Sequence, residues 1–282
     1  MNKVAGFIRL MRPVNCLMMG FAVIVGAAIA NSKALANPSG SLIYGFFTGF
    51  LLTAAAMAIN DYYDREIDTI NEPSRPIPSN VVKPNEALVF AFLLTVLGLA
   101  AAAVSILCFL TALTFWLLSV IYATVGKRTG LLGNFLVSAC VSAPFIYGSL
   151  AVTGNIELNI LIFVLMVFLS NTGREITKGI VDVEGDKMRN VKTLAVRLGS
   201  QKAAITATIF YLTAVALSPL PSVLNLVTFW FIPLVAVTDA GLVASSIMLL
   251  MNCSRENARK AKKQVLAWFL VGLIAFIVGS LH

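Results

Sequence analysis

Two groups of aspartates in the sequence have spacings that would place their side chains together on a helix. In the first group, Asp61, Asp64 and Asp68 are three and four positions apart, so a helix would carry them on one face. Three like charges on one face repel each other unless a cation compensates them. Carboxylate oxygens suit Mg²⁺, which completes its coordination shell with water and phosphate oxygens. The first group therefore predicts a Mg²⁺ site that faces a phosphate compound.

The second group follows about 120 residues later in the chain. Asp182 and Asp186 are four positions apart, and Lys178 precedes Asp182 by four, so one helical face could carry all three. Carboxylates cannot hold a negatively charged diphosphate directly. They can hold it through Mg²⁺, while basic side chains contact the remaining oxygens. The two groups together predict a Mg²⁺-diphosphate site in which Lys178 contacts phosphate.

An arginine lies in a proline-rich segment that follows the first group. Three prolines occur within residues 73–78, which predicts a stiff, non-helical loop around Arg75. The planar guanidinium fork of an arginine held in this way is suited to a phosphate. We favour that role for Arg75. The alternative, that this arginine only helps to orient the chain in a membrane, stays open.

The composition indicates which elements must carry these side chains. Of the 282 residues 59% are hydrophobic and 12% are charged, which is too apolar for a water-soluble fold. The apolar runs are continuous and about 20 residues long, which is typical of membrane-spanning helices. We predict an all-α, polytopic membrane bundle with a central cavity and nine spans. The unbroken run 87–125 is divided near residue 106, so a count of eight stays open. The spans lie near residues 13–31, 41–62, 86–105, 107–126, 131–153, 157–177, 201–219, 224–249 and 262–281.

The distribution of basic residues predicts the orientation of the bundle. If the N-terminus is cytoplasmic, every lysine and arginine except Lys33 falls in the N-terminal segment or in a cytoplasmic connection. The net charge of +8 therefore needs no nucleic-acid partner, and no obligate protein partner is indicated. Both aspartate groups would lie in long cytoplasmic loops, near 63–85 and 178–200. We expect a multi-pass protein of the cell membrane, in contact with its lipids.

The polar side chains of Asn15, Asn134 and Asp239 lie within the apolar spans. Asn15 and Asn134 could line a cavity or form hydrogen bonds between helices, and the sequence favours neither role. Asp239 is costly in a membrane and should face the bundle interior. Because it lies far from the span ends that carry the metal groups, we leave Asp239 out of the site.

The lone histidine is His282, so no internal imidazole is available as a base.

The two motifs together resemble the UbiA superfamily of intramembrane prenyltransferases. The resemblance covers nearly the whole chain and is carried by Asn60-Asp61-x-x-Asp64-x-x-x-Asp68 and by Asp182-x-x-x-Asp186. Further similar features are Arg12-Pro13-x-Asn15 and Arg75-Pro76. Tyr122 followed by Lys127 resembles the family's tyrosine–lysine element, with one residue more between them than in the usual form.

Within this superfamily, residues 174–187 are most similar to the archaeal digeranylgeranylglyceryl phosphate synthases. That resemblance implies transfer of a geranylgeranyl group from geranylgeranyl diphosphate to the hydroxyl of geranylgeranylglyceryl phosphate, a lipid-like acceptor. The product would carry the second ether of an archaeal membrane lipid. The segment 64–73 is also similar to chlorophyll synthase. An aromatic or tetrapyrrole acceptor, such as hydroxybenzoate, homogentisate or chlorophyllide, is therefore the alternative.

The resemblance also implies roles for individual residues in one membrane domain, residues 1–282. The two aspartate groups lie four spans apart, which suggests two four-helix modules followed by a ninth helix. One Mg²⁺ would be held by Asp61, Asp64 and Asp68. A second Mg²⁺ would be held by Asp182 and Asp186. The departing diphosphate would be stabilised by Arg75, Lys127, Lys178 and Lys187. The remaining substrate-binding residues would be Asn15, Asn60 and Tyr122.

A cation-coupled transporter is the alternative from another functional class. Transporters also place acidic residues in membrane helices, but near the middle of the membrane and on interrupted helices. The two aspartate groups of this chain are instead predicted at the ends of spans. The position of the acidic residues therefore favours an enzyme.

Overall fold

The computed structural model describes residues 2–34, 40–188 and 191–281, so His282 lies outside the described residues. The described ranges contain α-helices and two short 3₁₀ helices, and no strand is assigned within them. In chain order the helices are α1 (Lys3–Met11), α2 (Pro13–Ala30), α3 (Gly40–Asn71), α4 (Pro84–Ala102), α5 (Ile106–Thr124), α6 (Leu131–Thr153), α7 (Leu158–Val181), α8 (Val183–Met188), α9 (Leu194–Leu198), α10 (Ser200–Leu217), α11 (Leu220–Val223), α12 (Phe231–Met251) and α13 (Arg255–Ser280).

The number of membrane spans agrees with the sequence prediction. In the described part of the chain, nine helical segments are long and apolar enough to cross a membrane, with α10 and α11 counted together. The long apolar run is interrupted where it was divided, because α4 ends at Ala102 and α5 begins at Ile106. The predicted all-α membrane bundle is therefore confirmed, and the chain is a multi-pass membrane protein.

Several predicted helix boundaries were wrong. Helix α3 continues to Asn71 and α7 to Val181, so both predicted long loops are shorter than 63–85 and 178–200. Helix α12 begins at Phe231 rather than near residue 224. The apolar residues before it turn at Asn225, with φ of 54°, and the Thr228 amide donates to the Gly279 carbonyl at 2.7 Å. Apolar character alone did not distinguish this segment from a helix.

The last helix begins earlier than its apolar stretch. Helix α13 starts at Arg255 rather than near residue 262, because Ser254 caps it by accepting a hydrogen bond from the Asn257 amide at 3.4 Å. Polar residues therefore occupy its first two turns. These turns extend one end of the bundle beyond the apolar part of the helices.

Helices α2 and α6 approach each other unusually closely. A Cβ atom added at Gly148 would lie 2.1 Å from the Val23 carbonyl oxygen, and one added at Gly26 would lie 2.3 Å from the Phe145 carbonyl oxygen. Two glycines thus allow backbone-to-backbone packing, as small residues do in membrane helix pairs. This contact fixes the position of α2, which carries Asn15 near its beginning.

The site is positioned where several helix ends meet. Four ion pairs join the beginning of α2, the end of α3, the α5–α6 connection, α8 and the beginning of α13. They are Arg12–Asp61, Lys127–Asp64, Arg255–Glu184 and Arg259–Glu72. We call this the acidic end of the bundle.

Candidate active site at the acidic end

Helix α3 carries the first aspartate group on one buried face, as its spacing predicted. Asp61, Asp64 and Asp68 are 2%, 4% and 4% exposed. Asn60 donates to the Asp64 carboxylate at 2.9 Å. Asn71, the last residue of α3, is also buried and continues the same face by another turn. Such buried charges are stable only if they are paired.

Basic side chains from three separate parts of the chain compensate these carboxylates. Arg75, in the loop after α3, lies 2.5 Å from Asp68 and 3.4 Å from Asp61. Lys127, between α5 and α6, forms an ion pair with Asp64. The sequence predicted Arg75 and Lys127 near a phosphate, and the structure places both directly against the acidic face.

Arg12 is a third partner, which the sequence analysis did not assign to the site. It forms an ion pair with Asp61 and donates to the Met57 sulfur at 3.4 Å. Its backbone is left-handed, with φ of 55° and ψ of 69°, between α1 and Pro13. This conformation costs about 1–2 kcal/mol for a residue with a side chain, so the surrounding contacts must hold Arg12 there. Its Arg-Pro context in the family-like motif was the available signal.

The second aspartate group lies where the chain leaves α7. Asp182 ends α7 and Asp186 lies in α8, so the helix is interrupted between them. Their relative position is still helix-like, because the Asp186 amide donates to the Asp182 carbonyl at 3.0 Å. Burial, followed by the negative charge of Asp182, raises the pKa of Asp186 to about 7. A bound cation would favour the charged form of this carboxyl.

The two aspartate groups lie close together in the fold. Asp64 and Lys127 both act electrostatically on Asp186. The direct contact is between Asn71 and Gly185, because a Cβ atom at Gly185 would lie 2.5 Å from the Asn71 amide nitrogen. The oxygen of the same buried amide, Asn71 Oδ1, has no hydrogen-bond partner among the described residues.

We expect Gly185→Ala to separate the two aspartate groups and to lower enzymatic activity about 10-fold or more, because misplacement of reacting groups is costly. The added methyl group needs the space that the Asn71 amide occupies. In Asn71→Ala/Gly185→Ala that space is free, so the double variant should be no less active than Asn71→Ala alone. Steady-state activities of the three variants measure this coupling. Simple additivity of the two losses would contradict it.

A cavity of about 300 Å³ opens beneath the acidic end. Most of its lining side chains are apolar, and its charged lining residues are Arg12, Arg75, Arg174, Glu175, Lys178 and Lys262. Of the sequence-predicted residues, those that line it are Asn15, Asn60, Arg75, Tyr122 and Lys178. The five aspartates do not line it, because Arg12, Arg75 and Lys178 lie on its surface instead. Lys187 is exposed, and Asn134 is not among the lining residues.

Two further basic residues of the cavity were missed in the sequence. Arg174 is one helical turn before Lys178, and this spacing could have revealed it. Lys262 was counted only with the residues that orient the chain. No feature of the sequence distinguishes it from its basic neighbours on α13.

Asp239 faces the bundle interior, as expected. It lines a separate cavity of about 100 Å³ and accepts a hydrogen bond from Ser218 at 2.5 Å. The two cavities share lining residues on α2, α6 and α13, including Met18 and Phe269. Asp239 itself does not line the larger cavity.

The aspartates provide a suitable donor set for Mg²⁺. As the side chains lie, no three His, Cys, Asp or Glu groups in the described ranges converge on a common point for a metal. The basic partners account for this, because each carboxylate of the first group is oriented toward an arginine or lysine. The donors are nevertheless carboxylate oxygens, the ligands that a hard cation prefers, and four of the five groups are buried. We conclude that this set fits Mg²⁺ if the carboxylates exchange partners.

Comparisons with known proteins identify the family. Residues 19–277 match the UbiA prenyltransferase family. A digeranylgeranylglyceryl phosphate synthase from Methanosarcina mazei is 39% identical over 97% of this chain and 97% of that protein. The synthase of the same name from Methanocaldococcus jannaschii is 34% identical over 100% of this chain and 98% of that protein.

Solved structures have the same fold. The structure of a digeranylgeranylglyceryl phosphate synthase superposes with a TM-score of 0.75 and 34% identity, over 100% of this chain and 99% of that one. A UbiA homolog from Aeropyrum pernix K1 superposes with a TM-score of 0.79 at 19% identity, over 94% and 97%. A UbiA homolog from Archaeoglobus fulgidus, bound to DMAPP and Mg²⁺, gives a TM-score of 0.65 at 18% identity, over 94% and 98%. The family match and the close relatives, each spanning most of the chain, show that this protein belongs to the UbiA prenyltransferase family.

Proposed function

We propose that the protein transfers a geranylgeranyl group from geranylgeranyl diphosphate to the hydroxyl of geranylgeranylglyceryl phosphate. The observation that carries the proposal is the pair of aspartate groups, with four of the five carboxylates buried, next to a largely apolar cavity. The acceptor is supported by curated relatives that bear the name digeranylgeranylglyceryl phosphate synthase at 34% to 39% identity over nearly the full length. The product is a glyceryl phosphate with two prenyl ethers.

The donor diphosphate binds at the acidic end. Asp61, Asp64 and Asp68 hold one Mg²⁺ and Asp182 with Asp186 a second. Binding of GPP and Mg²⁺ by a UbiA homolog from Archaeoglobus fulgidus supports the choice of metal. Bound Mg²⁺ supplies positive charge for the leaving diphosphate.

The basic residues contact the same anion. Arg75 and Lys127 already lie against the aspartates, and Lys178 lies near both Asp64 and Asp182. They stabilise negative charge as it develops on the leaving group. Asn60 orients the Asp64 carboxylate. Exposed Lys187 can contact the diphosphate only at its outer side.

The transfer exchanges one carbon–oxygen bond for another. The bond between the first prenyl carbon and the diphosphate oxygen breaks, and the diphosphate leaves with the electron pair. The acceptor oxygen then bonds to that carbon, and its proton passes to a carboxylate or to the diphosphate. Apolar side chains of the cavity exclude water from the allylic cation and surround the prenyl chain. Asn15 and Tyr122 bound the same space.

We further propose that the protein is a single domain in the cell membrane, with its N-terminus and acidic end in the cytoplasm. The distribution of lysine and arginine supports this orientation. Water-soluble diphosphate would then be released into the cytoplasm.

An acceptor panel tests the proposed function. Purified protein is incubated with labelled geranylgeranyl diphosphate, Mg²⁺ and one acceptor: geranylgeranylglyceryl phosphate, hydroxybenzoate, homogentisate or chlorophyllide. We expect label in the glyceryl phosphate product alone, and none when EDTA removes Mg²⁺. Label in an aromatic or tetrapyrrole product instead would contradict the proposal. Ion flux through liposomes containing the protein, without any prenyl transfer, would favour a transporter.

A further inference from the structure

The cavity contains a second basic cluster, apart from the side chains that pair with the aspartates. It consists of Arg174 and Lys178 on α7 and Lys262 on α13, around the buried carboxylate of Glu175. Arg174 and Lys178 each lie 3.3 Å from Glu175. Lys262 is close enough to interact electrostatically with Asp182, Lys178, Arg174 and Glu175.

Two members of this cluster have a side-chain donor that lacks a hydrogen-bond or ion-pair partner among the described residues. The Nε atom of Arg174 is buried and has no hydrogen-bond partner among the described residues. Lys262 lines the cavity and forms no ion pair with any residue in the described ranges. A buried donor without a partner is costly, so an anionic ligand would stabilise Arg174. Lys262 is half-buried, and its ammonium group could contact the same ligand. Orientation of the chain in a membrane does not require basic side chains that face an internal cavity.

The cluster is electropositive and suits an anion such as a phosphate monoester. Three cations surround the one carboxylate of Glu175, and Lys178 shares its charge with the diphosphate site. A phosphate monoester carries about −1.5 to −2 at neutral pH. Arginine and lysine on facing helices can contact several of its oxygens at once.

The cluster and the residues around the first aspartate group bound the cavity from different elements. Arg12 precedes α2, Asn60 lies on α3 and Arg75 lies in the loop after α3, and all three line the cavity. Arg174 and Lys262 bound it from α7 and α13. An acceptor that carries its phosphate, hydroxyl and ether on one glycerol backbone could therefore bind Arg174 and Lys262 and present its hydroxyl toward the donor.

We propose that Arg174 and Lys262 form a second anion site, which binds the phosphate of a glyceryl phosphate acceptor. This inference rests on the proposed function and adds to it the residues that select a phosphorylated acceptor over the free alcohol. Lys178 lies between the two anions. It belongs with the donor diphosphate because it lies near one aspartate of each group, Asp64 and Asp182.

The test compares Lys262→Met and Arg174→Gln with a matched control, Lys263→Met. Lys263 is the exposed neighbour of Lys262 on α13 and lies outside the cavity. For each protein, KM is measured for geranylgeranyl diphosphate, for geranylgeranylglyceryl phosphate and for the dephosphorylated acceptor geranylgeranylglycerol. We expect KM for the phosphorylated acceptor to rise about 10-fold or more in both site variants. KM for the donor should change less than about 2-fold, and Lys263→Met should behave as wild type.

A binding measurement separates this inference from the proposed function. Binding of both acceptors to the full-length protein is measured in detergent with EDTA and without donor, so that no turnover is needed. We expect the wild-type protein to bind the phosphorylated acceptor more tightly, and Lys262→Met to lose that preference. Lys262→Arg should keep the preference for the phosphorylated acceptor, because it keeps the positive charge at this position. Thermal unfolding of each variant shows whether it is folded.

The possible outcomes are distinct. If donor KM rises as much as acceptor KM in Lys262→Met, the cluster serves the diphosphate and the inference is wrong. Equal preference for the phosphate in Lys262→Met, Arg174→Gln and wild type would also overturn it. If the wild-type protein transfers no prenyl group to the phosphorylated acceptor, the proposed function fails. The binding preference would still decide whether the cluster is a phosphate site.

Discussion

Asp64→Asn and Asp182→Asn should each lower Mg²⁺-dependent prenyl transfer by about 1,000-fold or more. An amide keeps the size of the side chain but cannot provide the negative charge that holds Mg²⁺. Asp64 is the centre of the first group and receives contacts from Asn60 and Lys127. Asp182 lies at the end of α7, next to the second group's buried Asp186. The measurement is initial rate against Mg²⁺ concentration with labelled donor.

The control for these variants is Glu184→Gln. Glu184 lies between the two aspartates of the second group, but its side chain is 66% exposed and pairs with Arg255. It should therefore keep nearly wild-type activity. Size-exclusion profiles and thermal unfolding of all three variants should resemble those of the wild-type protein. Substantial activity in both aspartate variants would refute the assignment of the metal site.

Gly148→Val should have the largest effect on stability. Its side chain would meet the Val23 carbonyl oxygen and the Ala27 amide nitrogen, at 2.1 and 2.6 Å from the position of the Cβ atom. These are backbone atoms, so α2 must move away from α6. Overpacking of this kind costs about 3 kcal/mol or more, which corresponds to a fall of about 10 °C in the melting temperature. Activity should fall as well, since Arg12 and Asn15 move with α2.

Gly272→Ala is the matched control for this glycine. Gly272 lies inside the membrane helix α13, but a Cβ atom there would be 3.4 Å from the Thr238 methyl group, an ordinary contact. Its melting temperature should stay within about 2 °C of wild type. Thermal unfolding in detergent compares the variants. An unchanged melting temperature for Gly148→Val would show that the close approach of α2 and α6 is not needed.

Much of the fold could be predicted from the sequence, because lipid restricts the chain to a few kinds of element. A continuous apolar run of about 20 residues has little alternative to a spanning helix. The shared face of Asp61, Asp64 and Asp68 followed from helical periodicity alone. The helix ends were harder, since α3, α7 and α13 continue into polar residues. Ion pairs, a serine cap and neighbouring helices support those extensions, and none of these is visible in hydropathy.

The basic residues of the site were only partly predictable. Lysine and arginine accumulate at the cytoplasmic ends of helices whether or not they bind a ligand. Arg75 was separated from this background by its proline-rich loop, and Lys178 by its spacing from Asp182. Arg12 has only its Arg-Pro context, which does not specify a contact, and Lys262 has no local signal. Only tertiary packing shows that they face the aspartates and the cavity.

The ion pairs between Arg12, Arg75, Lys127 and the α3 aspartates have a consequence for biogenesis. Three carboxylates buried on one helix face would disfavour folding if their compensation depended on a metal. Here the counter-ions belong to the same polypeptide, and Arg12 is synthesised before Asp61. The chain can therefore fold with its acidic face compensated before any metal binds, and a cation that binds there must displace these side chains.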